Sequence, residues 1–194
     1  MKAEKTMSAQ PQSVYITPQE YLAIEHEAEY KSEYFDGEMF AMSGASSKHN
    51  QIVTNIVGEM YGQFKKRPCR VYSNDMRVKV SPTDLYTYPD IVAFCDKPRF
   101  DDKHTLLNPT VIIEVLSDST ANYDRGTKFK HYRTLESLKE YLLIAQDECH
   151  IEHYIRQINN QWVLSETSDL KETIDLPSID CHLALTDVYD KVEF

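Results

Sequence analysis

A mixed β-sheet with α-helices packed on it is the fold the sequence predicts, and three observations carry that prediction. From Ile52 through Val53, Ile56, Val57, Met60 and Tyr61 to Phe64, apolar residues recur at three- and four-residue intervals, the mark of one buried helical stripe. Between Asp75 and Val80 the period falls to two, with Met76, Val78 and Val80 alternating with Asp75, Arg77 and Lys79, as in a half-buried strand. Ile91-Val92-Ala93-Phe94 and Val111-Ile112-Ile113, continued by Val115-Leu116, are unbroken apolar runs, as expected of central strands covered on both faces. Both periods in one chain indicate an α/β architecture.

The remaining elements follow in order. Residues 1–16 are a polar leader, and one domain spans 17–194. Thr17-Pro18-Gln19-Glu20 joins a capping box to a proline at the first helical position, so a helix runs to about Ala28. The seven carboxylates and one lysine from Glu20 to Glu38 read as a solvated acidic face. Asp36-Gly37 between Tyr34-Phe35 and Met39-Phe40 is a tight hairpin turn. Ser46 or Ser47 caps the striped helix, and Lys65-Lys66-Arg67-Pro68 ends it. Pro89 and Pro109 open the two central strands, where a missing N–H costs little. A loop from Asp118 to Asn122 leads to a helix of about Asp124 to Thr134. Strands follow at Glu140 to Ala145, Ile151 to Ile158 and Gln161 to Glu166, the last two joined by Asn159-Asn160. The tail supplies a short strand, Thr173 to Leu176, and a helical turn near Leu185 to Tyr189.

Composition bounds the function. Apolar residues make up 41% and charged residues 27% of the 194, enough for a packed core. A net charge of −10 argues against wholesale attraction to a polyanion, so any nucleic-acid site requires a local basic patch. Lys65, Lys66, Arg67, Arg70, Arg77 and Lys79 form one such run, and Arg125, Lys128, Lys130 and Arg133 another; solubilising side chains are the alternative for any single one. No apolar stretch is long enough for a spanning helix and no signal core opens the chain, so a cytoplasmic protein off the membrane is expected. Cys69, Cys95, Cys149 and Cys181 are scattered, which predicts reduced, packed thiols. His150-x-x-His153 beside Cys149 is no ligand cluster, because strand residues three apart face opposite ways; it reads as hairpin surface.

Each central run carries one acid. Asp90 opens the first, and Glu114 sits inside Val-Ile-Ile-Glu-Val-Leu, where an unpaired carboxylate is costly. In an antiparallel pairing whose loop is centred near residue 102, Asp90 falls opposite Glu114. Their Cβ atoms then lie about 5 Å apart on one face. Carboxylates at that spacing call for a cation, and a hard divalent ion with oxygen ligands supplies it. The alternative is a surface Asp beside a strand-end Glu bonded to a local donor.

Tyr88-Pro89-Asp90, then Ile113-Glu114-Val115-Leu116-Ser117, then Asp124-Arg125-Gly126-Thr127-Lys128-Phe129-Lys130-His131-Tyr132 resemble the Uma-two family of endonucleases in the PD-(D/E)xK restriction-endonuclease-like superfamily. The resemblance extends through Phe35-Asp36-Gly37-Glu38, Ser47-Lys48-His49-Asn50 and Lys139-Glu140-Tyr141, and so covers most of residues 17 to 190. It implies a restriction-endonuclease-like mixed β-sheet flanked by α-helices and a metal-dependent endonuclease that hydrolyses DNA phosphodiester bonds.

Asp90 and Glu114 match the acids that bind Mg²⁺, for which Mn²⁺ substitutes, together with the Val115 backbone carbonyl. The superfamily's lysine position falls on Leu116, which has no amine; the family's lysine on the following helix matches Lys128. Asp124, Lys128 and Tyr132 share one helical face, which aims that amine back at the sheet. Asp75 and Glu38 are possible additional carboxylates, and His49 a possible phosphate contact. One position departs from the family pattern: relatives tend to carry Asp-Pro where this chain has Ala145-Gln146-Asp147. Cutting a duplex needs two such sites, which implies a homodimer on DNA. The competing reading is a catalytically silent nuclease-fold module for nucleic-acid or protein interaction, and plasmid cleavage with and without EDTA separates the two.

Overall fold

The computed structural model describes residues 15–194. The greater part of the predicted leader lies outside the described residues. Where description begins, the chain is already tied down: Ile16 N–H donates to the Gly37 carbonyl at 3.0 Å, and the Tyr34 hydroxyl donates to the Ile16 carbonyl at 2.8 Å. Helix α1 (Pro18–Glu27) carries the expected capping box on Thr17. The hairpin β1 (Ser32–Phe35) and β2 (Glu38–Ala41) turns on Asp36 and Gly37, both at positive φ. A Cβ at Gly37 would run into the Tyr15 ring, so the glycine serves packing as well as conformation. Helix α2 (Ser47–Phe64) is capped by Ser46 and buries Ile52, Val53, Ile56, Met60 and Phe64; Tyr61, expected in that stripe, is instead exposed.

After α2 come β3 (Arg70–Ser73), β4 (Arg77–Val80), β5 (Leu85–Thr87), β6 (Ile91–Phe94), β7 (Thr105–Leu106) and β8 (Val111–Leu116). The predicted helix beyond β8 forms as α3 (Ala121–Tyr123), a π-helical turn (Asp124–Lys128) and α4 (Phe129–Tyr132), without a break between them. The strands β9 (Glu140–Ala145), β10 (Ile151–Arg156), β11 (Trp162–Thr167), β12 (Thr173–Leu176) and β13 (Cys181–Ala184) lead to α5 (Leu185–Val188). Of these, β3, β5, β7 and β13 were not expected from sequence; each has at most four residues, too few to establish a period.

A six-stranded mixed sheet, β11-β10-β9-β8-β6-β3, forms the centre, with β8 parallel to β9 and its other pairs antiparallel. Ile91 opposes Ile113 in the register between β6 and β8, as expected, and one step further sets Asp90 opposite Glu114. Alternation explains why the central runs are apolar throughout. Ile91, Ala93, Val111, Ile113, Val115, Leu142 and Ile144 pack toward α2 and α5 on one face. Val92, Phe94, Ile112, Leu116, Tyr141 and Leu143 meet β4, β5, Phe129 and Tyr132 on the other. Glu114 shares the second face with Ile112 and Leu116. A five-stranded sheet, β2-β1-β5-β4-β7, lies over that face. Among the described residues no helix is long and apolar enough to cross a membrane.

Three expectations are corrected. Cys69 and Cys95 form a disulfide instead of reduced thiols, because the β3–β6 register sets them opposite each other one pair beyond Arg70 and Phe94; Cys149 and Cys181 are free. Arg77 alternates with core residues yet is buried itself. It lies between the two sheets and donates to Thr105, Tyr88 and Asp102, so it is no part of a basic surface. His153 is buried against Glu140 at 2.6 Å, not on a hairpin surface, because β10 is an interior strand of the central sheet.

Candidate active site

The site forms where the C-terminal half of β8 meets the start of β6 and the π-helical turn. Burial is nearly complete at Glu114, whose side chain is 4% exposed. Its oxygens are occupied: Oε1 accepts from Tyr132 Oη at 2.9 Å and faces Lys128 Nζ at 3.0 Å, and Oε2 accepts the Asp90 N–H at 3.3 Å. Asp90 stands at the mouth. Its Oδ2 accepts the Val115 N–H at 2.7 Å and faces His49 Nε2 at 3.1 Å. Among the described residues nothing bonds Asp90 Oδ1. His49 enters from the first turn of α2, and its Nδ1 is buried without a protein partner.

Lys128 is the centre of charge. Its Nζ lies 3.0 Å from Glu114, 3.2 Å from Glu33 and 3.6 Å from Asp124. The π-turn that carries it widens the helix by one residue per turn, a distortion that recurs at functional sites. Burial works against its charge, but the carboxylates of Glu114, Glu33 and Asp124 outweigh that and hold the ammonium well above its ordinary pKa. Burial pushes the Glu114 carboxyl up, and the nearby Asp90 and Asp124 charges add to the rise while Lys128 opposes it. Asp124 is raised by burial as well, though Lys128 pulls it down. Three carboxylates thus surround one ammonium, with Asp90 beyond them, so acidic groups outnumber cations in a low-dielectric site.

Glu33 is the residue that sequence reasoning missed, having been counted within a solvated acidic run. Its signal was alternation: Glu33 shares a strand face with Phe35, which packs against the second core, while Tyr34 faces the other way into an aromatic cluster. The Thr87 hydroxyl fixes it by a hydrogen bond. Asp75 and Glu38 are not gathered into the site. Asp75 is exposed and bonded to Lys31 at 2.6 Å, and Glu38 is exposed on β2. Val115 meets Asp90 through its N–H. At the departing position, Gln146 accepts from the Ser46 hydroxyl at 2.6 Å and Asp147 lies 3.5 Å from Lys48, so that turn docks on the start of α2 beside His49.

Five of the ten basic side chains collected as DNA contacts, Arg67, Arg77, Lys79, Arg125 and Lys128, are engaged by protein carboxylates or carbonyls. Lys79 faces Asp101 and Asp84, Arg125 donates to Glu152 at 2.6 Å, and Arg67 donates to the Asp180 and Ile179 carbonyls.

Comparisons with known proteins bear on the family and the fold. A protein of Synechocystis sp., sll1609, uncharacterized, is 37% identical over 153 residues, covering 78% of this chain and 86% of its own. A second from the same organism, slr1290, also uncharacterized, is 32% identical over 181 residues, covering 92% and 94%. The crystal structure of an Anabaena variabilis protein described as "a putative nuclease belonging to DUF820" shares the fold, with a TM-score of 0.74 at 22% identity over 92% of this chain and 99% of that one. The model of the Uma2 family, described as "Putative restriction endonuclease", matches residues 18–186, and the chain belongs to that family.

Proposed function

We propose that the protein is a Mg²⁺-dependent endonuclease that hydrolyses DNA phosphodiester bonds, with Asp90, Glu114 and Lys128 as its catalytic residues. One observation carries the reading: a charged lysine from the π-turn meets Glu114 at 3.0 Å, opposite an Asp90 whose Oδ1 has no partner among the described residues. Among the described residues no three His, Cys, Asp or Glu side chains converge as a closed metal cage would require. The donors nevertheless fit Mg²⁺, which is typically held by one or two carboxylates and keeps several waters and substrate oxygens. Asp90 and Glu114, with the Val115 backbone carbonyl, would hold the ion, which when bound would supply an acidified water and positive charge to offset the negative charge developing on the phosphate. Lys128 stabilises the attacked phosphate, while Glu33 and Asp124 position it and keep it charged. His49 orients Asp90. Duplex cleavage by one such site per chain calls for a homodimer, which light scattering would detect.

The test is incubation of supercoiled plasmid with the protein and Mg²⁺ or Mn²⁺. Nicked and linear products are expected, absent in EDTA and absent with Asp90→Ala or Glu114→Ala. Intact plasmid under every condition would instead favour a silent nuclease-fold module, a reading to which the engagement of Lys128 by Glu33, Glu114 and Asp124 lends support.

A further inference from the structure

The end of the central sheet away from Asp90 carries an open cavity of about 650 Å³ lined by polar and charged residues. It opens where β6 ends and where β8 and β9 begin, and Lys97, Arg99 and Lys139 line it. Elsewhere Arg77 pairs with Asp102, Lys79 with Asp101, Arg125 with Glu152 and Lys128 with Glu114, whereas the exposed Lys65, Lys66, Arg70, Lys130 and Arg133 line no common cavity with these three. Among the described residues Lys97, Arg99 and Lys139 pair with no carboxylate, although Asp96 and Glu136 line the same cavity.

Their backbones are fixed although their side chains are exposed. Asn108, buried, accepts the Arg99 N–H at 2.6 Å and donates to the Lys97 carbonyl at 3.1 Å. Leu107 N–H donates to the Arg99 carbonyl at 2.9 Å, and Lys139 N–H to the Thr110 carbonyl at 2.8 Å. Lys139 Nζ rests on the Glu136 carbonyl at 3.0 Å. Ser137 and Ser178 also line the cavity, and the hydroxyl oxygen of each is buried without a protein partner. Ser178 is held from behind, its N–H donating to Glu140 at 2.8 Å.

Three unpaired cations and two unpartnered hydroxyls around one cavity suit a ligand with several charged oxygens. We propose that this cavity binds a phosphate group carrying two negative charges, as inorganic phosphate or a phosphomonoester. A terminal phosphate of a nucleic acid and a small phosphorylated metabolite offer the same chemistry. Thr110, which lines the cavity, precedes Glu114 by four residues, roughly 13 Å at about 3.3 Å per residue, so the cavity is separate from the proposed cleavage site and does not rest on the nuclease reading.

Calorimetric titration of the full chain in EDTA tests it, with inorganic phosphate, a 5′-phosphorylated oligonucleotide and the same oligonucleotide unphosphorylated. Phosphate should bind, and more weakly as salt rises. The variant Lys97→Ala/Arg99→Ala/Lys139→Ala should bind it about tenfold or more weakly, at unchanged melting temperature, since the three side chains are exposed. Glu136→Gln, which removes a repelling charge, should tighten binding by roughly twofold. A 5′-phosphorylated oligonucleotide that binds more tightly than inorganic phosphate, and loses that margin in the triple variant, assigns the site to nucleic-acid ends; equal affinity assigns it to small phosphorylated molecules. No phosphate binding by the parent, or undiminished binding by the triple variant, overturns the proposal.

Discussion

The two buried charge clusters of the central sheet lie on opposite faces and are built in opposite ways. At the start of β9, Glu140 is fully buried on the α2 face, and both its oxygens are satisfied: His153 Nε2 at 2.6 Å and the Ser178 N–H at 2.8 Å. One carboxylate meets one imidazole and one backbone amide, and the account closes. Near the end of β8, on the other face, Lys128 is the single cation among Glu33, Glu114 and Asp124, with Asp90 beyond. A closed cluster ties strands together. An unbalanced one costs stability, and such a cost is retained where a further cation or a charged substrate completes the set.

Lys128→Met breaks that contrast most severely. Three buried carboxylates would be left without their counter-charge, and removing one partner of a buried ionic cluster typically costs about 3–5 kcal/mol. Denaturant titration should show that loss, and plasmid cleavage should fall by roughly 10²-fold or more. Mn²⁺ affinity should hold or improve, since an ammonium near the ion repels it. Lys130→Met, an exposed neighbour on the same helix, is the control and should keep both stability and activity. Parent-like stability in Lys128→Met would mean that the carboxylates simply take up protons, and the imbalance would carry no meaning.

The closed cluster should respond only in stability. His153→Leu deprives Glu140 of one of its two partners, and a hydrogen bond to a charged group is worth about 1.5–3 kcal/mol. The midpoint in denaturant should drop accordingly while the cleavage rate per folded molecule stays within about twofold. A large loss of activity would couple the two faces of the sheet and blur the distinction between them.

Tyr132→Phe sharpens the comparison with a smaller change. It removes the hydroxyl donated to Glu114 Oε1 at 2.9 Å and leaves the ring in the second core. Roughly 1 kcal/mol of stability is at stake. Cleavage should fall by several-fold, because Glu114 loses one of the contacts that fix its orientation.

The divide between what sequence disclosed and what it did not follows from range. The face of Glu114 and its register against Asp90 depend on period-two alternation and a local antiparallel pairing, and both stand as expected. Placement of Lys128 beside Glu114 follows from the family resemblance and the helical spacing to Asp124 and Tyr132. Glu33 reaches the site through the docking of a second sheet, where β1 meets β5 at Tyr34 and Tyr86, a long-range pairing that no local period encodes. Arg77 misled for the same reason: alternation with Val78 and Val80 marks a solvent face only when nothing covers it, and here Thr105, Tyr88 and Asp102 do. Cys69 and Cys95 are 26 residues apart and become neighbours only through the unexpected strand β3.

Asp75 and Glu38 should be nearly silent. Both are acids near strands that lead toward the site, which made them plausible additional ligands. Yet Asp75 points into solvent with its side chain 87% exposed and is engaged by Lys31 at 2.6 Å, and Glu38 occupies an edge strand with its side chain exposed. An exposed ion pair contributes little, about 0–1 kcal/mol. Asp75→Ala and Glu38→Ala should therefore leave plasmid cleavage within about twofold of the parent, the usual range for surface changes that touch no special feature. Manganese titration supplies the independent reading. If Asp75→Ala weakens Mn²⁺ binding by tenfold or more, Lys31 must release that carboxylate when the ion arrives, and the site recruits a third acid that its resting geometry keeps outside; unchanged binding leaves Asp90 and Glu114 as the metal-holding pair.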